Sequence, residues 1–152
     1  MGIVVDTDVW VMAEKGISVG LQRWEKWGEL LVSAITFSEL LVGVHKATTT
    51  ERRQRRSAYV EGLLRDMDLL PVTVEVARVN AQLLADLPQG ITVGSNDTWI
   101  AATAIANGCA LLTRGGEFRN PSDRIVCTLK WLSQVASPRC CLQLHCSHGH
   151  VR

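Results

Sequence analysis

Four acidic side chains of this sequence stand at predicted strand ends or helix starts: Asp6, Glu39, Asp97 and Glu117. Carboxylate oxygens that meet at one place suit a hard divalent cation, which prefers oxygen ligands and retains several waters. Where a fold brings these acids together, Mg²⁺ is the ion that we expect them to hold, with Mn²⁺ as a substitute. The interpretation therefore depends on the elements that carry the acids.

Each acid is predicted to lie at the same edge of one sheet. Asp6 ends the first predicted strand, and Glu39 lies in the first turn of the helix that follows the second strand. Asp97 opens a helix after a glycine-flanked loop, and Glu117 lies just past the fourth strand. Because ligand sites in open α/β sheets form beyond the carboxyl ends of the strands, we expect the four positions to converge.

Each acid also has a purely structural interpretation. Thr36 and Glu39 have the spacing of a capping box, in which Glu39 would only accept a hydrogen bond from the backbone of the N-cap residue. Asp97 suits the positive end of its helix, and Asp6 and Asp8 suit turns in which carboxylates accept from nearby amides. Taken singly, each acid is more often structural, so the metal interpretation depends on their coincidence.

One pattern favours a ligand for Asp97. This acid shares a predicted helical face with Ala101 and Ala104, at spacings of four and seven residues, and small side chains suit close packing on a sheet. A carboxylate beside a packed face is costly without a partner. We therefore expect Asp97 to have a partner, such as a bound cation.

Short apolar runs alternate with helix-like patterns along the chain. The predicted strands are 2–5, 30–34, 72–74, 110–113 and 124–128. The predicted helices are 7–15, 19–27, 36–46, 50–66, 74–87 and 96–107. Apolar runs of this length are typical of strands buried in a parallel sheet. The alternation predicts an α/β sandwich with a mostly parallel sheet of four to five strands flanked by helices.

The composition favours one folded domain. With 152 residues, of which 47% are hydrophobic and 20% charged, the chain matches a single packed core. The 16 Lys and Arg residues nearly balance the 15 Asp and Glu residues, so any contact with nucleic acid must come from local basic patches. The basic run at 51–56 suits either a solvated helix face or phosphate binding.

The two ends of the chain carry further expectations. We predict a domain over residues 1–135 and a disordered or non-native tail over 136–152. The cysteines and histidines of this tail lack the usual spacing of a zinc site: Cys140, Cys141, His145, Cys146, His148 and His150. The start MGIVVDTDVW does not match a secretion signal, and no apolar run is long enough to span a bilayer. We therefore expect a cytoplasmic protein with no membrane partner.

Three segments together resemble a known family. They are IVVDTDVW near the start, SAITFSELLVGV at 33–44 and VGSNDTWIAATAIANGCALLTRGGEF at 93–118. In that order they resemble the motif blocks of VapC-like PIN-domain toxins, the toxin half of type II VapBC toxin–antitoxin pairs. The third block is the most specific, because an acid, Ile-Ala-Ala, a glycine, a strand and a threonine follow one another. The resemblance implies a PIN-like three-layer sandwich for the domain over 1–135.

The resemblance also implies roles for individual residues. Three acids match the principal acid positions of the family and would act as catalytic metal ligands: Asp6, Glu39 and Asp97. Glu117, which precedes Phe118, would be a fourth, weaker or water-mediated ligand, although Gly115 and Gly116 replace a segment that is commonly polar and slightly longer. Around these ligands, supporting roles fall to Asp8, Asn96 and Thr113.

The activity implied by the resemblance is that of a Mg²⁺-dependent endoribonuclease, in which a metal-activated water hydrolyses the phosphodiester. RNA would be the substrate, a VapB-like antitoxin would neutralise the toxin, and the chain would form a homodimer. Two other classes stay open at this point. One is a PIN-fold binding module without catalysis, and the other is a receiver-type signalling domain, which also gathers acids around Mg²⁺ at the carboxyl edge of a parallel sheet.

Overall fold

The computed structural model describes residues 2–17, 20–87, 89, 92–114 and 125–127. The strands are β1 (Gly2–Val5), β2 (Glu29–Ser33), β3 (Asp68–Leu70), β4 (Ala110–Arg114) and β5 (Ile125–Cys127). The helices are α1 (Thr7–Glu14), α2 (Leu21–Glu25), α3 (Ala34–His45), α4 (Thr50–Asp66), α5 (Val74–Ala85) and α6 (Ser95–Ala106). Glu117 and the segment 136–152 lie outside the described residues, so the predictions made for them stay untested.

One sheet organises these elements, with the strand order β3-β2-β1-β4-β5. The first four strands of that order are parallel, and β5 runs antiparallel to β4. The central strand β1 pairs with β2 on one side and β4 on the other, so that Ile3 lies between Leu30 and Ala110. The prediction of a mostly parallel sheet flanked by helices is confirmed.

Alternation along the central strands divides the core into two layers, because successive side chains of a strand point to opposite faces. Val5 and Leu112 pack on one face with residues of α1, α3 and α4. Val4 and Leu111 pack on the other face with residues of α5 and α6. Both faces of the sheet are therefore covered by helices, which gives the three layers expected from the resemblance.

The third strand was predicted in the wrong place. Its residues are Asp68–Leu70, paired in parallel with β2, whereas Val74 begins α5. Pro71 follows the strand and lacks the N–H that would extend the ladder. The hydroxyl of Thr73 then caps α5 by accepting from the backbone N–H of Val76 at 3.4 Å. The β-branched residues at 72–74 thus form a helix start, because capping overrides their strand preference.

The start of α3 also differs from the prediction. The helix begins at Ala34, and Ser33 is its N-cap, with its hydroxyl accepting from the backbone N–H of Thr36 at 2.9 Å. Thr36 is therefore not an N-cap, and the capping-box interpretation of Glu39 is wrong. Glu39 lies in the second turn of α3 rather than in the first.

Among the described residues, no helix combines the length and apolar character that a membrane span requires.

Candidate functional site

Asp6 joins the carboxyl ends of β1 and β4. It follows β1 directly, and its backbone N–H donates to the carbonyl oxygen of Leu112 in β4 at 2.8 Å. Its side chain is the N-cap of α1, with Oδ1 accepting from the backbone N–H of Thr7 at 2.7 Å. Oδ2 accepts from the hydroxyl of Thr113 at 2.6 Å. The carboxylate is therefore held at the edge of the sheet by one donor on each oxygen.

Glu39 connects three helices at the same edge. Its Oε2 accepts a hydrogen bond from the hydroxyl of Thr7, the first residue of α1. Its Oε1 accepts from the side-chain Nδ2 of Asn96 in the first turn of α6, at 2.8 Å. Both donors are neutral, so the contacts orient the Glu39 carboxylate without cancelling its negative charge.

Asp97 lies in the first turn of α6 and accepts a hydrogen bond from the backbone N–H of Gly94, the N-cap residue of that helix. The approach is close, since a Cβ placed on Gly94 would lie 2.6 Å from Oδ2 of Asp97. The structural interpretation of Asp97 is thus partly realised, because the side chain supports the helix start. While it accepts this hydrogen bond, the Asp97 carboxylate also experiences the negative charges of Glu39 and Asp8.

Mutual repulsion couples these carboxylates. Burial raises the pKa of Asp6 above its ordinary value, and the negative charges of Asp97 and Asp8 add to that rise against the lowering effect of the Thr113 and Thr7 hydrogen bonds. Burial also raises the pKa of Asp97, and the charges of Glu39 and Asp8 raise it further. Four acids that lie on or beside three helices therefore act on one another through space.

The donor set fits a hard divalent cation. Among the side chains that the structure describes, no Lys, Arg or His forms an ion pair with Asp6, Glu39 or Asp97. The described side chains therefore provide no compensating positive charge for the coupled acids, whose carboxylate oxygens are the atom type that Mg²⁺ and Mn²⁺ prefer. Over those same residues, no group of three or more His, Cys, Asp or Glu side chains is arranged so that it could hold a metal ion. The acids interact electrostatically, but the described residues do not form a complete set of metal ligands.

Comparison with known proteins gives the family. The family model for the PIN domain matches residues 3–123. This chain belongs to the PIN-domain family. It is 35% identical over 114 residues to "Ribonuclease VapC1" of Rickettsia felis, covering 74% of this chain and 84% of that relative. Membership in this family displaces the receiver-type interpretation.

Solved structures agree with that family. The chain resembles the crystal structure of VapBC-5 from Mycobacterium tuberculosis, described as a member of the VapBC family of toxin-antitoxin systems. The TM-score is 0.61 and the identity 32%, over 77% of this chain and 87% of that one. The DNA-bound VapBC2 structure from Rickettsia felis has a TM-score of 0.66 at 23% identity, covering 76% and 88% of the two chains, and supports the fold.

Most of the predicted site residues of this PIN domain meet at one edge. Thr113 donates to Asp6 and Asn96 donates to Glu39, so both residues predicted to support the ligands contact them directly. Asp8 is exposed and adds negative charge. The roles of these residues as metal ligands, or as supports for ligands, stay predictions.

Thr7 was missed in the sequence. The residue contacts two of the predicted ligands, yet it carries no charge and stands at an ordinary first position of a helix. The available signal was its place between Asp6 and Asp8, where a hydroxyl follows a predicted ligand at a strand end.

The basic run of α4 in this PIN domain is partly structural. Arg56 donates through Nη1 to the carbonyl oxygen of Gly43 at 2.7 Å, and its Nε lies 3.5 Å from Oε1 of Glu14. Arg53 donates to the carbonyl oxygen of Ala47 at 3.4 Å. Arg56 therefore connects α4 to α3 and α1, and Arg53 connects α4 to the segment that follows α3. Arg55 lies 3.9 Å from Oε1 of Glu14 through Nη2, and its side chain is 68% exposed.

Proposed function

We propose that this chain is a Mg²⁺-dependent endoribonuclease toxin that a cognate antitoxin neutralises. The observation that carries the proposal is a coupled group of carboxylates, without a compensating cation in the described residues, at the carboxyl edge of a PIN-domain sheet. The names of its relatives support the proposal, because they describe ribonucleases and toxin–antitoxin complexes.

Asp6, Glu39 and Asp97 would hold the metal ion, with Glu117 as a fourth ligand. When bound, Mg²⁺ or Mn²⁺ supplies Lewis-acid chemistry for phosphodiester hydrolysis, activating water and offsetting negative charge. Within the chain, Thr113 orients the carboxylate of Asp6 and Asn96 orients that of Glu39. Burial and the charges of neighbouring acids raise the pKa values of Asp6 and Asp97, and a bound cation would offset the repulsion among these acids.

Two kinds of surface support the proposed partners. A VapB-like antitoxin would cover the acidic edge, and a basic side chain would suit its negative charge. A homodimer would cover exposed apolar side chains, of which Trp27 is 63% exposed and Val42 45% exposed. We propose the cytoplasm as the location of this activity, because the chain would meet the proposed RNA substrate and antitoxin there.

The decisive experiment measures cleavage of a mixed RNA pool by the purified chain, free of antitoxin, in Mg²⁺ and in a chelator. We expect cleavage in Mg²⁺ only, and none from Asp97→Asn, which keeps the side-chain shape and removes a charge. Circular dichroism would show that this variant remains folded. Cleavage that persists in chelator or in Asp97→Asn would refute the proposal, and a folded, unchanged chain that cleaves no RNA in Mg²⁺ would favour a binding module.

A further inference from the structure

We infer that Thr7 is a positioning residue that fixes Asp6 and Glu39 relative to each other for cation binding. The inference rests on the proposed metal-dependent activity, because it concerns two of the proposed ligands. Neither a charge nor a known ligand type marks Thr7 in the sequence. Its role comes from two hydrogen bonds made by two different groups of one residue.

The backbone and the side chain of Thr7 serve different acids. Its backbone N–H donates to Oδ1 of Asp6 at 2.7 Å, as part of the N-cap of α1. Its hydroxyl donates to Oε2 of Glu39, which lies 32 residues away in α3. Thr7 thus links the end of β1 to α3 through both carboxylates.

A threonine hydroxyl suits this position physically. Each carboxylate oxygen accepts about two hydrogen bonds or metal bonds, so one donor leaves a lone pair for a cation. A Lys or Arg donor would cancel the charge that attracts the cation, whereas a hydroxyl preserves it. The β-branched side chain is stiff about χ1, and this stiffness limits the directions in which the Thr7 hydroxyl can point.

The fold does not depend on this hydroxyl for holding α1 against α3. Val9 and Trp10 of α1 pack in one buried cluster with Leu40 and Val44 of α3, and these four side chains are at most 7% exposed. The apolar contacts bring the two helices together. The Thr7 hydroxyl then sets the direction of the Glu39 carboxylate within an interface that is already formed.

The test compares Thr7→Val and Thr7→Ser with the unchanged chain by calorimetric titration of Mn²⁺ without RNA. Valine keeps the shape and the backbone N–H that caps α1, and it removes only the donor to Glu39. Loss of a partner that orients a metal ligand typically weakens metal affinity by about 10- to 100-fold. We expect that loss in Thr7→Val and near-normal affinity in Thr7→Ser, with similar melting temperatures in chelator.

The matched control is Thr103→Val. The hydroxyl of Thr103 is buried and donates to the carbonyl oxygen of Trp99 at 2.8 Å, within α6. Its loss is expected to lower the melting temperature and to leave Mn²⁺ affinity unchanged. This pattern is the one that a merely structural hydroxyl produces.

The outcomes separate the inference from the proposed function. Unchanged Mn²⁺ affinity in folded Thr7→Val, beside clear binding by the unchanged chain, overturns the role of Thr7 alone. A Thr7→Ser variant as weak as Thr7→Val also overturns it, because serine retains the hydroxyl. An unchanged chain that binds no Mn²⁺ overturns the proposed function and this inference together. Should Thr7→Val fail to fold, Thr7→Ala is compared with Thr7→Ser in the same way.

Discussion

The side-chain Nδ2 of Asn96 donates a hydrogen bond to Oε1 of Glu39 at 2.8 Å and thereby connects α6 to α3. The two residues are 57 positions apart in the chain. Burial and the charge of Glu39 raise the pKa of Asp97, the neighbour of Asn96, so the start of α6 carries both an orienting donor and a coupled acid. The start of α6 therefore both orients the Glu39 carboxylate and places a second negative charge near it.

Replacing Asn96 with leucine tests the contribution of its hydrogen bond to Glu39. Asn96→Leu keeps a side chain that branches at Cγ and removes the donor to Glu39. We expect Mn²⁺ affinity and the rate of RNA cleavage to fall by about 10-fold or more, as for other residues that orient a metal ligand. Because Asn96 is exposed, the free energy of unfolding should change by only about 0.5 kcal/mol. Unchanged Mn²⁺ affinity would contradict the prediction, and Asn107→Leu at the other end of α6 is the control.

Asp6→Asn is expected to separate stability from activity. Asparagine still accepts the hydrogen bond from Thr7 as an N-cap, and it removes a charge that burial and two neighbouring acids disfavour. Thermal unfolding in chelator should therefore show a melting temperature at or above that of the unchanged chain, while cleavage in Mg²⁺ is lost. A clearly lower melting temperature would mean that the charge itself stabilises the fold.

The raised pKa values of Asp6 and Asp97 predict a direction for pH dependence. Without metal, each carboxyl contributes stability that is fully present below the unfolded value, near 3.8, and is lost as the pH rises through the higher folded value. Mn²⁺ affinity should change in the opposite direction and increase over that pH window, because protons compete with the cation for the carboxylates. Calorimetric titration at several pH values checks this, and an affinity independent of pH there would argue against binding by these acids.

Gly94→Ala is expected to impair the site through Asp97. The added Cβ would lie 2.6 Å from Oδ2 of Asp97, so the carboxylate has to move. Backbone strain is not the reason, since Gly94 has a φ of −56°. We expect weaker Mn²⁺ binding and slower cleavage from a folded protein.

Gly62→Ala is the control, because its Cβ meets no atom within 4 Å and removing a glycine from inside α4 should add about 0.5–1 kcal/mol of stability. Normal cleavage by Gly94→Ala would show that the position of Asp97 does not matter.

Local patterns in the sequence were sufficient for most of the fold. The run Gly2–Val5 and the helix Thr50–Asp66 have the predicted bounds, because apolar periodicity and capping residues act over a few neighbours. The edge strand β3 was misplaced because three residues carry little periodicity and its pairing with β2 is a tertiary contact. The start of α3 was misplaced because Ser33 and Thr36 are both hydroxyl residues able to cap, and only one does.

By itself, the sequence determined the α/β class, the PIN family and the identity of the candidate acids. The tertiary structure alone decided which side chains meet there. Thr113 reaches Asp6 across 107 residues because the strand order places β4 beside β1. Thr7 reaches Glu39 across 32 residues because apolar side chains pack α1 against α3. No local pattern encodes such pairings, since each depends on the packing of elements that are distant in the chain.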